Sequence, residues 1–397
     1  MLTSSVRRIA IRALAGVALF SCVAFAQPRP PAPGTPRFPL PTEPRVYELF
    51  RQKVRVSVVA HGIERPWSLL PLPSGDFLVS VRATGQVRAI RKGALDPAPL
   101  TGLPAMRLSR ATGMLDMALH PRFAENRWIY FTYHKALDAT TFTLALARGR
   151  YDGTGFSNVE ELYAGNAVQT GGSRMTFGPD GLLYITVGGA GRLPDAQAVT
   201  TIFGKVLRLR DDGTVPADNP FVGKAGSRPE IFTIGHRDHH GIAVYPPTGQ
   251  IVEAELGPLG GDKINFLEPG GNYGWPTHGF GRDNDGSPMP LPTEAMAKSW
   301  ITWNPGITPS GLLFYTGDKF PEWQGNLFVG SIQRGRIPGT GALQRVAFTE
   351  KLWELRRETM FEDFHQRVRD VRQGPDGLIY LLTEEDDGAV IKIEPVP

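Results

Sequence analysis

A turn and a strand, followed by a second turn and a second strand, recur along the chain. This unit limits the available folds more than any other feature. Gly178-Pro179-Asp180-Gly181 leads into Leu182-Leu183-Tyr184-Ile185-Thr186-Val187, and after an insertion comes Gly204-Lys205-Val206-Leu207-Arg208-Leu209. Gly374-Pro375-Asp376-Gly377 leads into Leu378-Ile379-Tyr380-Leu381-Leu382-Thr383, then Gly388-Ala389-Val390-Ile391-Lys392-Ile393. Pro73-Ser74-Gly75 opens a third copy, and weaker ones begin at Thr248 and Gln324. Proline presets φ for a turn, and Asp-Gly supplies the positive-φ position that closes it. The runs between are β-branched and aromatic, as strands are.

Helical periodicity is nearly absent; one short helix is predicted around residues 352–364. Many short strands without crossover helices predict an all-β chain. The expected fold is a β-propeller of four-stranded antiparallel sheets, whose radial closure protects the sheet edges. A β-sandwich or several small sheets is the alternative. The spread of the unit over the whole chain favours the propeller, but the pattern alone does not give the number of blades.

The N-terminal segment stands apart from this pattern. Arg7, Arg8 and Arg12 form a basic start, residues 10–23 are mostly small and apolar, and Ala24-Phe25-Ala26 resembles a cleavage site. Residues 1–26 therefore read as a secretory signal peptide, cleaved near Ala26. Arg12 interrupts the apolar run, which is short for a transmembrane span. Lipid anchoring at Cys22 ranks second, because Phe20 fits a lipoprotein box badly. Arg7-Arg8 would also suit twin-arginine export, though a basic start alone accounts for it. The expected location is periplasmic or secreted.

Cys22 is the one cysteine, so the mature chain holds no disulfide and relies on its core. The net charge of +4 includes Arg7, Arg8 and Arg12 and no acid before residue 27, which leaves +1 after cleavage. With no basic run, nucleic-acid binding has no support. Residues 27–44 are proline-rich and read as an extended linker. Length alone would suggest two domains for the remainder, but the repeat makes residues 45–397 one propeller.

Longer strings are more specific. They are Gly113-Met114-Leu115-Asp116-Met117-Ala118-Leu119-His120-Pro121, Asp218-Asn219-Pro220-Phe221 and Gly235-His236-Arg237. Gly257-Pro258-Leu259-Gly260-Gly261-Asp262 follows, then Pro269-Gly270-Gly271-Asn272-Tyr273-Gly274-Trp275-Pro276, Thr308-Pro309-Ser310-Gly311 and Arg367-Val368-Arg369-Asp370-Val371. In this order they resemble the glucose/sorbosone dehydrogenase family, especially its aldose sugar dehydrogenases, from about Gly62 to the C-terminus. The resemblance implies a six-bladed propeller with pyrroloquinoline quinone (PQQ) and calcium at one mouth of the central channel. It implies hydride transfer from the anomeric carbon of a sugar, or from a related alcohol, to the quinone, with a periplasmic electron acceptor to follow.

PQQ carries three carboxylates, which suit the planar fork of arginine. The family's cofactor-binding arginines match Arg367 and Arg369, whose two-residue spacing on a strand puts both on one face. Arg237 and Thr308 match further cofactor-facing positions. Calcium takes hard oxygen ligands, carbonyls included, and the family's Gly-Pro step that ligates it is Gly257-Pro258 here. His120, Asp116 and Asp262 read as structural.

Several positions depart from the family. Thr170, in Gln169-Thr170-Gly171-Gly172-Ser173-Arg174, stands where the family has its general-base histidine. A threonine hydroxyl is no base near neutral pH. Gly189 replaces the acid of the following turn. Asp238-His239-His240 replaces Asn-Pro-Gln, Leu256 replaces a polar residue, and Lys263 replaces an acid; an ammonium cannot ligate calcium. His240 is the candidate substitute base.

Two readings follow. One is a PQQ- and calcium-dependent sugar dehydrogenase. The other is a catalytically degenerate propeller that binds a ligand or a protein, as the family's Hedgehog-interacting relatives do. A lactonase-type hydrolase would need an axial carboxylate/Asn cluster, which the sequence does not place.

Overall fold

The computed structural model describes residues 38–166, 171–188 and 193–396. The signal-peptide reading, Thr170 and Gly189 fall outside them. In chain order the strands are β1 (Arg45–Leu49), β2 (Gln52–Ile63), β3 (Pro66–Pro71), β4 (Phe77–Val81), β5 (Gln86–Arg91), β6 (Ala94–Leu95), β7 (Met114–Leu119), β8 (Trp128–Ala136), β9 (Phe142–Tyr151) and β10 (Phe156–Ala164). They continue as β11 (Met175–Phe177), β12 (Leu183–Val187), β13 (Lys205–Leu209), β14 (Ile231–Thr233), β15 (His239–Val244), β16 (Ile251–Glu255), β17 (Asp262–Phe266) and β18 (Ser299–Trp303). The last are β19 (Pro309–Phe314), β20 (Leu327–Ser331), β21 (Ala342–Phe348), β22 (Glu354–Met360), β23 (Val368–Gln373), β24 (Ile379–Thr383) and β25 (Gly388–Pro395).

They form six antiparallel sheets, the blades of a propeller. Blades one to five are β3–β6, β7–β10, β11–β14, β15–β18 and β19–β22. Blade six is completed by the start of the chain: its order is β1-β2-β25-β24-β23, with Val56 opposite Ile393 and Val58 opposite Ile391. Pairing of the first long strand with the last closes the ring. The predicted helix near residues 352–364 is instead the edge strand β22, with Arg357 opposite Val346, followed by one 3₁₀ turn at Glu362–Phe364. The free edge of β21 captured a segment whose local pattern favoured helix.

The repeated turn has the same construction in its two strongest copies. Asp180 Oδ1 accepts the Leu182 N–H and Oδ2 the Tyr184 hydroxyl, at 3.1 and 2.9 Å; Asp376 does the same for Leu378 and Tyr380, at 3.1 and 2.7 Å. Gly181 and Gly377 take φ near +74° and +78°, where a Cβ is disfavoured.

The strands are apolar on both faces because each blade packs between two others. On β24, Ile379 and Leu381 face blade five, whereas Tyr380 and Leu382 face blade one. Leu183, Ile185 and Val187 of β12 face blade two, while Tyr184 faces blade four. The period-2 alternation of a strand thus sorts consecutive residues into different cores.

The innermost strands β3, β7, β11, β15, β19 and β23 surround the axis. Two carboxylates and the Arg174 guanidinium are buried there, with the half-buried Arg372 beside them. Arg174 reaches Asp370 Oδ2 at 3.1 Å and Asp116 Oδ1 at 3.4 Å, and Arg372 reaches the same two residues at 3.1 and 3.5 Å. Asp370 also accepts the Leu69 N–H and Asp116 the Met175 N–H, at 2.9 and 2.8 Å. Asp370→Ala removes one anion and leaves Arg174 half-paired in a dry site, so the expected cost is about 3–5 kcal/mol of stability. Chemical denaturation of the variant checks this; a loss below about 1 kcal/mol, the scale of an exposed ion pair, would show the network to be dispensable.

Candidate functional site

One mouth of the channel is built by two kinds of segment. The residue before an innermost strand and the residue after the next strand lie at the same end, because the two strands run antiparallel. Arg237 and Asp238 precede β15, Thr308 precedes β19 and Arg367 precedes β23. Arg82 follows β4, Gly188 follows β12, Leu256-Gly257-Pro258 follows β16 and Glu384 follows β24.

A cavity of about 510 Å³ opens between blades four and five. Arg237, Asp238, Leu256, Gly257, Pro258, Asp262, Thr308 and Arg336 are on its wall. Asp262 sets its shape: Oδ1 accepts the Gly257 N–H at 2.8 Å and Oδ2 the Thr308 N–H at 2.7 Å. That bond holds Thr308 at φ +53°, a conformation costly for a β-branched residue. Burial pushes the Asp262 carboxyl up to about 6, against the pull of these N–H donors. Four of the sequence-predicted site residues, Arg237, Thr308, Gly257 and Pro258, therefore share one cavity.

Arg367 and Arg369 stand beside it, within a cationic cluster. Both guanidiniums bond Glu384 Oε2, Arg367 at 2.9 Å, and Arg82 lies 3.8 Å from Oε1. Burial raises the Glu384 carboxyl, but Arg369, Arg367 and Arg82 outweigh it and hold it down at about 2. Burial brings Arg369 down to about 10 despite Glu384. Both values keep the groups charged at neutral pH. Trp67 packs beneath: Arg82 and Arg369 each lie 4.5 Å from its ring centre, a cation–π contact that favours the charged form.

His240 connects the cluster to the cavity. Its Nδ1 accepts from Arg369 at 3.0 Å, and its Nε2 lies 3.3 Å from Asp238 Oδ2. Arginine only donates, so the neutral ring carries its proton on Nε2, facing Asp238. Burial lowers the His240 pKa, against the attraction of Asp238, which keeps the ring neutral. Neither ring nitrogen offers a free lone pair. Asp238 Oδ1 accepts the Gly172 N–H at 2.8 Å. Gly172 is required here, since a Cβ on it would lie 2.2 Å from the His240 ring.

The buried Nε atoms of Arg237, Arg367 and Arg369 have no hydrogen-bond acceptor. Arg88, Arg148 and Arg208, on β5, β9 and β13, are orphaned at Nε in the same way, so it is the gathering of arginine cations around this mouth that suits an anionic ligand carrying several acceptors, as a tricarboxylate does. The Gly257-Pro258 step, matched to calcium in the sequence, is less open. The Pro258 carbonyl accepts a hydrogen bond from Arg336, an exposed side chain on the loop after β20. A metal ion on that carbonyl requires Arg336 to swing away. Lys263 is buried, with Nζ 2.6 Å from the Tyr273 carbonyl and 2.8 Å from Glu255 Oε1.

Trp67, Arg82 and Glu384 escaped the reading of the sequence. Each sits at a strand end, where a charged or aromatic residue passes for turn furniture. The available signal for Arg82 and Glu384 was their position just after the second strand of a blade, whereas Trp67 lies within the innermost strand β3.

The sequence pattern of the family described as Glucose / Sorbosone dehydrogenase matches residues 63–392. The aldose sugar dehydrogenase YliI of Escherichia coli is 34% identical over 355 residues, covering 86% of this chain and 93% of that one. The apo-form crystal structure of the soluble aldose sugar dehydrogenase from Escherichia coli has a TM-score of 0.80 at 31% identity, over 86% of this chain and 100% of that one. The PQQ-bound aldose sugar dehydrogenase of Streptomyces coelicolor has a TM-score of 0.69 at 25% identity, over 90% of this chain and 100% of that one. With these likenesses, a six-bladed ring and an arginine-rich mouth, the chain belongs to the glucose/sorbosone dehydrogenase family.

Proposed function

We propose that this chain is a quinoprotein of the aldose sugar dehydrogenase type. In this reading it holds PQQ, with calcium, at the arginine-rich mouth and acts on an aldose or a related alcohol in the periplasm or outside the cell. The observation that carries the reading is the cluster of Arg82, Arg367 and Arg369 on the carboxylate of Glu384, beside an open cavity walled by Arg237. The relatives, a PQQ-bound sugar dehydrogenase among them, support the same class.

The roles follow from position. Arg237, Arg367 and Arg369 would meet the carboxylates of the quinone with charge-assisted hydrogen bonds. Thr308 would border it, held by Asp262. The carbonyls of Gly257 and Pro258 would hold calcium once Arg336 moves. The bound quinone supplies a hydride acceptor. The chain must then take the proton of the sugar hydroxyl. His240 is committed to Arg369 and Asp238. Asp238 is held below the usual carboxylate range because His240 and the Gly172 N–H outweigh its burial, so it is a weak base. Without a well-matched base, turnover is slow by about 10²–10⁴. This favours, as a second reading, a propeller that binds the cofactor and does little chemistry, and a protein or ligand partner would then be its target.

Three measurements test these readings. Titration of the purified mature chain with PQQ in excess calcium, followed by quinone absorbance, should show binding. Arg237→Ala and Arg369→Ala should each weaken it roughly 10- to 100-fold, the worth of a hydrogen bond to a charged group. Thermal midpoints confirm folding of each variant; folded variants that bind like the parent would remove the arginines from the site.

The calcium reading gives an opposite expectation. Arg336→Ala frees the Pro258 carbonyl, so calcium should strengthen PQQ binding more in this variant than in the parent. Equal calcium dependence in both would place the ion elsewhere.

The chemistry can be rebuilt. Thr170→His with Gly189→Asp should raise dye-linked aldose oxidation by more than the two single gains combined, because catalytic groups act as a unit. A double variant that binds PQQ yet stays as inactive as its parent would leave the binding reading.

A further inference from the structure

Behind the cavity, between blades three and four, four metal-ligating side chains converge. His236 follows β14, His239 begins β15, and Glu253 and Glu255 lie two apart on β16, so both carboxylates leave the same face. All four are at most 1% exposed. One nitrogen of each histidine and one oxygen of each glutamate lie within 4.8 Å of one another.

The hydrogen bonding leaves this cluster incomplete. His236 Nε2 lies 2.9 Å from Thr233 Oγ1, which turns Nδ1 toward the carboxylates. There Nδ1 makes no hydrogen bond, at 3.5 Å from Glu253 Oε1 and 3.6 Å from Glu255 Oε2. His239 Nδ1 lies 2.8 Å from Glu253 Oε2, and its Nε2 has no partner. If Nε2 of His236 donates to Thr233, its Nδ1 lone pair faces two carboxylate oxygens. That arrangement is repulsive unless a positive charge lies between them. Neither Lys263 nor Asn265 fills the gap: Lys263 binds Glu255 through Oε1, and Asn265 Nδ2 donates to Oε1 of Glu253 and of Glu255, while His236 Nδ1 stays without a hydrogen bond. Two things fit: a proton on His236, or a metal ion.

We propose that His236, His239, Glu253 and Glu255 bind a divalent transition ion of the zinc class. Imidazole and carboxylate ligands together suit such an ion. Ligands at about 2.0–2.1 Å around a tetrahedral ion are roughly 3.4 Å apart, close to the 3.5 and 3.6 Å seen for His236 and the two carboxylates. Thr233 is the outer partner that fixes the tautomer of a metal-bound histidine. The ion crosslinks β14, β15 and β16 next to Arg237, whose N–H already rests on Glu255 Oε2 at 2.8 Å. Because the site is closed, the ion enters during folding.

The test uses the full mature chain, unfolded and refolded with Zn²⁺, with Co²⁺, or with chelator, then freed of loose metal. The expected result is about one Zn²⁺ per chain by elemental analysis, visible ligand-field bands of tetrahedral cobalt, and a thermal midpoint lower in chelator, since the binding free energy becomes folding free energy. Glu253→Gln, nearly isosteric, and His239→Ala should each cut retained metal at least about tenfold. Parent chain that refolds with no bound metal and the same midpoint in all three conditions overturns the proposal. The cluster is then an ion network neutralised by a proton on His236. Metal retained equally by both variants overturns it as well.

Discussion

The buried ion network on the axis is the constraint on which the rest of the molecule depends. Six twisted sheets arranged radially bring six innermost strands together, and their inward backbone groups need partners. Asp370 and Asp116 supply acceptors to the N–H groups of Leu69 and Met175, as a neighbouring strand would. Two carboxylates in a dry channel would be prohibitive alone, and Arg174 and Arg372 balance them. Arg174 also donates to the backbone carbonyls of His240 and Arg369, at 3.0 and 2.9 Å. The network that closes the axis thus fixes the height and direction of two residues at the mouth.

Ring closure adds a second constraint. A propeller whose first and last strands merely abutted would part at that seam. Here Val54 and Val56 of β2 enter the core shared by blades five and six, while Ala60 and Ile63 enter the core shared by blades six and one. One strand near the N-terminus therefore seals two interfaces. A large apolar side chain buried there is worth roughly 1.5–3 kcal/mol, so these residues of β2 add directly to the hold of the seam.

Much of this was legible in the residues, for identifiable reasons. The Gly-Pro-Asp-Gly turns announce their strands because the aspartate caps its own turn, and Tyr184 and Tyr380 are spaced to reach it. Period-2 patterning alone failed on these strands, since burial on both faces erases it. Residues 354–360 fall within the predicted helix, and their pairing with β21 instead is a tertiary choice that no local signal carries. At the mouth, Arg237, Thr308, Gly257 and Pro258 were found through neighbours in recognisable strings. Glu384 was not, because a glutamate followed by Glu385, Asp386 and Asp387 reads as a solvated acidic turn. Only the fold shows that its carboxylate takes the guanidiniums of both Arg367 and Arg369, while Glu385 accepts the Arg367 backbone N–H. His240 was legible as a histidine near the site; its commitment to Arg369 and Asp238 was not.

Comparison of the axis with the mouth gives the last step. Asp116, Asp370, Arg174 and Arg372 are matched in charge. At the mouth, Arg82, Arg367 and Arg369 converge on one carboxylate, that of Glu384, while Arg237 shares the cavity wall with Asp238 and Asp262. Buried positive charge in excess costs free energy in the absence of a partner. Burial accordingly pulls Arg82, Arg237 and Arg369 below the usual arginine range. In the reading proposed above, an anion held at the mouth would complete the partners of these cations, whatever the rate of chemistry there. That reading explains how arginines matching the family's cofactor positions coexist with a threonine at its base position: binding requires only fixed cations, whereas proton transfer requires a lone pair that His240 does not have free.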